Sequence, residues 1–233
     1  MTAQVTDKVF YERQAFELAN TSTFKLLFSP QQHGIDPPML STACYRGFYS
    51  EFAVINEQLY LTRAFINLTG EEKRAARRGC GPRLFGVHPV RFRDTCNAQF
   101  WGVKLPWQEW AVEWLYELDV PLSYTGGILV GRDRVRPYWL VPDAWAFAQV
   151  RELIFEEGFL KEQYDRSEAM QEFYEEWQQR SEEQKRLSET PLNLLEPWLP
   201  HPDLVGEWIQ GRYTTCFRLP YKLVHHKMLR AQG

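Results

Sequence analysis

Polar and apolar residues alternate along much of the first two-thirds of the chain, which is the period of a half-buried strand. Gln58–Leu68 carries the pattern best. Leu59, Leu61, Arg63, Phe65 and Asn67 alternate with Tyr60, Thr62, Ala64, Ile66 and Leu68. Both sets are partly apolar and rich in side chains that suit a pleated surface. With Phe48–Ile55 before it and Asn56-Glu57 between, the pattern predicts a hairpin. Arg151–Phe155 and Phe159–Tyr164, on either side of Glu156-Glu157-Gly158, predict a second. Gln14–Ala19, Phe24–Phe28, Ser41–Gly47 and Ala98–Leu105 read as further extended segments. Leu122–Val130 reads as a bend followed by a buried strand.

Three segments have a helical pattern instead. Glu71–Arg78 is short and stopped by Gly79 and Gly81-Pro82. Trp110–Leu118 is apolar at 110, 111, 112, 114, 115 and 118, which fits a buried helix slightly better than a strand. The longest runs from Ser167 to Leu187 without Gly or Pro, and Met170, Phe173, Tyr174 and Trp177 share one face of it. Glu176–Arg180 and Glu182–Arg186 add i,i+4 pairs worth about 0.2–0.5 kcal/mol each. Pro191 ends this run, and Pro197, Pro200, Pro202 and Pro220 punctuate the rest of the chain.

These elements predict an α+β fold. Residues 1–190 form one domain. A mainly antiparallel β-sheet, a sandwich or open barrel over about 10–165, is packed by one long amphipathic helix at 167–187. An irregular, Pro-rich C-terminal arm, 191–233, runs over the surface and anchors through Trp198, Trp208 and Phe217.

Composition narrows the class. The chain has 233 residues, 44% of them apolar, with 9 Trp, 11 Tyr and 15 Phe. Burying that many rings outweighs the entropy of ordering them, so disorder is excluded as the dominant state. No apolar run reaches the ~20 residues needed to span a bilayer, and the N-terminal residues lack a signal-peptide pattern. A soluble protein of the cytoplasm, with reduced thiols at Cys44, Cys80, Cys96 and Cys216, is the expectation.

Charge changes the picture more. The formal net charge of −3 is the remainder of opposed blocks. Lys73, Arg74, Arg77, Arg78, Arg83, Arg91 and Arg93 lie within 21 residues that contain no acid. Residues 151–189 hold twelve acids against six bases, and 211–230 hold five bases and no acid. Such polarity suits either pairing within the chain or an oppositely charged partner.

Candidate chemistry is sparse. Cys80, His88 and Cys96 lack the close ligand pairs of structural zinc sites, and His225-His226 are adjacent, so no metal site and no cofactor are expected. Cys44 stands two residues from Arg46, which could lower a thiol pKa, but a small core residue is the stronger reading. Gly126-Gly127 matches no phosphate-binding motif and reads as a bend. The acids fall on what reads as a solvated hairpin and helix face. Trp101, Trp107, Trp110 and Trp114, with Trp139 and Trp145, read first as core, then as an interface, then as a ligand groove.

Three stretches resemble a pattern found in uncharacterised bacterial proteins: Leu40–Phe48 running on to Leu59-Tyr60-Leu61, Leu122–Asp133, and Arg151–Gly158 with Asp165–Glu168. Many of those proteins have Trp where Tyr45 stands. The resemblance implies an accessory or immunity component of a bacterial defence system and assigns no catalytic residue.

The functional expectation is a non-catalytic protein–protein interaction or accessory protein. It would meet a protein partner or a second copy of itself through Arg74, Arg77, Arg78, Arg83, Arg91 and Arg93, with Trp198 and Trp208 of the arm. The alternative is a nucleic-acid-binding factor using the same basic segment, with Phe85 and Phe92 placed to stack bases. An enzyme with an unrecognised site ranks last.

Overall fold

The computed structural model describes residues 4–22, 26–92, 99–100, 103–104, 114–135 and 144–172, together with Glu175 and Gln179. Within these, strands dominate. They are β1 (Lys8–Tyr11), β2 (Gln14–Thr21), β3 (Phe48–Ile55), β4 (Gln58–Ile66), β5 (Val90–Arg91), β6 (Gln99–Phe100), β7 (Val103–Lys104), β8 (Trp114–Pro121), β9 (Gly126–Arg134), β10 (Phe147–Glu156) and β11 (Phe159–Asp165). One short helix, α1 (Gly70–Ala76), comes after β4.

Nine strands form one sheet in the order β11-β10-β9-β2-β1-β3-β4-β8-β5, while β6 and β7 pair only with each other. The pairing is antiparallel except between β1 and β3, where Val9 faces Phe52 in parallel register. The sheet is therefore mixed. Its β11 edge curls back onto β4, where Leu59 N–H donates to the Gly158 carbonyl (2.9 Å) and Leu160 N–H to the Glu57 carbonyl (2.6 Å). Seven strands thus close a ring, with β8 and β5 extending beyond it. The expectation of a mainly β fold holds, but as one large mixed sheet and not a purely antiparallel one. Val9, Phe16, Phe52, Leu59, Leu61, Ile128, Leu153 and Phe155, all buried, fill the inside.

Three two-residue hairpins set the register. Their turns are Glu12-Arg13, Asn56-Glu57 and Glu157-Gly158, and all six residues have positive φ. That conformation matches the twist of the flanking strands. Gly158 is also sterically obliged: a Cβ there would lie 1.9 Å from the Leu122 carbonyl oxygen. The two hairpins expected from the sequence are present, and β1 adds a third.

Several expectations need correction. Trp110–Leu118 is not helical where it is described, because Trp114–Pro121 is a strand. Trp114, Leu115 and Tyr116 are all buried, so both faces of the strand are covered and alternation is lost. Ser41–Gly47 is not a strand but two successive turns around an isolated Ser41–Cys44 bridge. The long helix is described only as a short one, 167–172, with Glu175 and Gln179 also helical. Met170, the one residue of its apolar stripe that is described, is buried at 3% exposure. Propensity and i,i+4 pairs alone give a helix little stability, so packing must supply the rest, and Met170 is where it is seen. Phe173, Tyr174, Trp177 and the arm 191–233 lie outside the described residues.

The helix start is fastened to the outer face of β10. Arg166 N–H donates to the Val150 carbonyl (2.9 Å), and Val150 N–H donates to Ser167 Oγ (3.1 Å). Arg166 Nε donates to the carboxylate of Glu152 (2.7 Å), which is fully buried. No helix among the described residues is long and apolar enough to cross a membrane.

Candidate functional site

Residues 69–92 leave the end of β4 and form a lobe against β8. Thr69 caps α1 with a reciprocal capping box: its hydroxyl accepts from Glu72 N–H, and the Glu72 carboxylate accepts from Thr69 N–H (2.8 Å). Gly79, at φ +76°, ends the helical segment, and Gly81 lies so close to Ala76 and Pro89 that a Cβ would meet both at 2.8 Å. Ala76 and Leu84 join the barrel's apolar cluster. Tyr116 of β8 donates its hydroxyl to the Pro82 carbonyl (3.0 Å). Burial pushes this phenol well above its usual pKa, with Glu72 adding to the effect, so it stays a donor at every physiological pH.

This lobe carries six of the seven basic residues picked out in the sequence. Arg74, Arg77, Arg78, Arg83 and Arg91 are exposed and Lys73 is half-buried. Among the described residues none of the six has a carboxylate partner. Lys73 and Arg74 sit in the last turn of α1, where cations complement the helix dipole, so part of the charge has a local use. Arg83 Nε donates to His88 Nε2 (2.9 Å), which leaves His88 Nδ1–H to donate to the Gly81 carbonyl (2.9 Å). Arg93, Trp198 and Trp208 lie outside the described residues.

At the tip of the lobe Leu84 and Val87 exchange two backbone hydrogen bonds of 3.0 Å across Phe85-Gly86. Both turn residues have positive φ, 50° for Phe85 and 82° for Gly86. Gly adopts this readily; a bulky aromatic does not, at a cost of about 1–2 kcal/mol. The Phe85 ring is 43% exposed and tilts against the exposed His33, centroids 4.4 Å apart. His33 stacks on the buried Phe28 (5.8 Å), which meets Phe48 of the core edge-on (6.2 Å). The surface pair is thus seated on the barrel through two buried rings. Phe92 differs: it is half-buried and packs edge-on against Phe65 at 5.2 Å, so it is not a free stacking surface.

The other candidates lead elsewhere. Cys44 is a buried turn residue, and burial raises its thiol pKa against the opposing pull of Arg46. It is a protonated core thiol and not an activated nucleophile. Arg46 is instead committed to Asp7 through two bonds of 3.1 Å. Gly126 and Gly127 open strand β9. A cavity of about 460 Å³ between the Glu12-Arg13 turn and Arg132-Asp133 is open and holds charges of both signs. No cluster of three or more His, Cys, Asp or Glu suited to a metal occurs among the described residues. Trp114 belongs to the core; Trp101, Trp107, Trp110 and Trp139 lie outside the described residues, as does the Trp145 side chain.

Sequence reading found the lobe's charge but not its tip. His33 lies some fifty residues from Phe85, and only the fold makes them neighbours. A weak signal existed in Phe85-Gly86 between two apolar residues, a turn-like pair with an unusual first member.

No family model, curated protein or solved structure matches this chain, so the resemblance to bacterial proteins assigns it to no family.

Proposed function

We propose that the chain is a non-catalytic interaction protein that docks an anionic macromolecule through the 73–91 lobe. The observation that supports this is the absence of carboxylate partners for the lobe's six cations among the described residues. Exposed cations held together on a rigid support raise the local potential and steer association with an opposite charge. An accessory role beside a larger component fits such a surface.

The test uses two polyanions, a labelled poly-glutamate peptide and a labelled oligonucleotide, titrated across a salt series. At least one binds, with affinity falling steeply as salt rises, and Arg74→Ala/Arg77→Ala/Arg78→Ala flattens that dependence. Light scattering on the same samples separates docking from self-association, since Glu156, Glu157 and Glu162 of the β10–β11 hairpin are exposed acids a second copy could offer. If neither polyanion binds at low salt and the protein stays monomeric, the reading is wrong.

A further inference from the structure

The lobe carries two things on one stretch of chain: cations without carboxylate partners among the described residues, and a ring held where folding alone disfavours it. Phe85 occupies the first position of a turn that calls for Asn or Gly. Its ring gains only partial burial there, with 43% of the residue left facing solvent. A side chain that both strains the backbone and leaves apolar surface wet is poorly explained by stability. Such positions recur where the strain serves recognition. His33 flanks the ring at a tilt of 54°, and Phe28 stacks on His33. Arg83 is two residues before Phe85 in the same lobe, and Arg77 and Arg78 lie just past α1.

From this combination we infer that the lobe binds single-stranded nucleic acid, with an unpaired base stacked on Phe85, His33 flanking it, and phosphates of the strand met by Arg77, Arg78 and Arg83. This rests on the proposed function and names its partner. An acidic protein surface would satisfy the arginines but offers few planar rings for the Phe85 tip. A duplex would satisfy them too, yet keeps its bases stacked out of reach. A single strand supplies both groups at once, which is the combination that aromatic-and-cation platforms use.

The experiment measures fluorescence anisotropy with a labelled oligonucleotide of about 20 nucleotides, long enough for one binding site, its matching duplex and a poly-glutamate peptide. The single strand is expected to bind at least about tenfold more tightly than the other two. Phe85→Asn keeps the turn and removes the ring. It is expected to weaken single-strand binding about fivefold or more while leaving the melting temperature unchanged or raised. Should that variant fold poorly, His33→Ala and photo-crosslinking of a bromouridine-substituted strand give independent readouts. The crosslink is expected at His33 or within residues 83–88. Equal affinity for the duplex, unchanged affinity of Phe85→Asn, or a crosslink mapping away from the lobe overturns the inference. Binding of poly-glutamate but no single strand overturns it too, and leaves the broader reading standing. Binding of neither overturns the inference, and with a strictly monomeric protein it removes the broader reading too.

Discussion

Six arginines of the barrel and those of the lobe are the same residue put to opposite ends. Arg46, Arg63, Arg132, Arg134, Arg151 and Arg166 each face a carboxylate: Asp7, Glu51, Asp133, Glu17, Asp165 and Glu152. Several of those acids are buried, Glu152 completely and Asp7 and Glu51 nearly so. The arginines of the lobe stand exposed with no such partner among the described residues. A buried carboxylate needs its counter-charge, so Arg46, Arg63 and Arg166 belong to the fold. An exposed arginine without a partner adds little to the fold, so the second set is available to something else. Charge counted along the chain does not separate the two groups; a carboxylate partner brought close by the fold does.

The contrast is broken most severely at Arg166. Arg166→Met takes from the buried Glu152 the cation it pairs with here and is expected to cost up to about 3–5 kcal/mol in denaturant unfolding. Adding Glu152→Met should recover most of that loss, because two apolar residues replace the pair. A double variant as unstable as the single one would show that the pair does more than neutralise a buried charge.

The join between the two regions comes next. Tyr116→Phe removes the hydrogen bond to the Pro82 carbonyl and should cost roughly 0.5–1.5 kcal/mol. Hydrogen exchange should speed up in 79–88 more than in β3 or β4, because this bond ties the lobe to the barrel. Uniform acceleration would count against that role.

The lobe's own cations sharpen the comparison from the other side. Arg74→Ala, Arg77→Ala and Arg78→Ala should each change stability by no more than about 0.5 kcal/mol, while together they lower the salt dependence of polyanion binding. A large loss of stability would mean they pair within the fold after all.

The smallest effect is a matter of pH. Asp165 is held below the usual carboxylate range: partial burial works against this, but hydrogen bonds from Ser167 and the nearby Arg151 outweigh it. Its folded pKa is depressed, so its contribution is present above the unfolded value, near 4, and disappears as pH falls through the lower folded value. Melting temperature should therefore decline below about pH 4, and Asp165→Asn should flatten part of that decline.

Much of the fold was legible because it is local. Turns at Asn56-Glu57 and Glu157-Gly158 lie between alternating runs, and the capped helix at Gly70–Ala76 is bounded by Thr69 and Gly79. Trp114-Leu115-Tyr116 misled because burial on both faces erases the strand period. The Glu12-Arg13 turn gave no warning, since neither residue favours positive φ and only the paired strands impose it. The candidate site divided the same way: its charge is written in 73–91, while the pairing of His33 with Phe85 is not.

By itself, then, the sequence determined a β-rich chain, two of its hairpins and the short helix, and the segregation of charge. Each arises from residues within a few positions of one another. Only the tertiary structure decided the parallel β1–β3 pairing, the closure of β11 onto β4, which arginines are spent on buried acids, and that a strained Phe85 meets His33 at the surface. Those depend on contacts between distant segments, whose partners are chosen by packing and desolvation rather than by any local pattern.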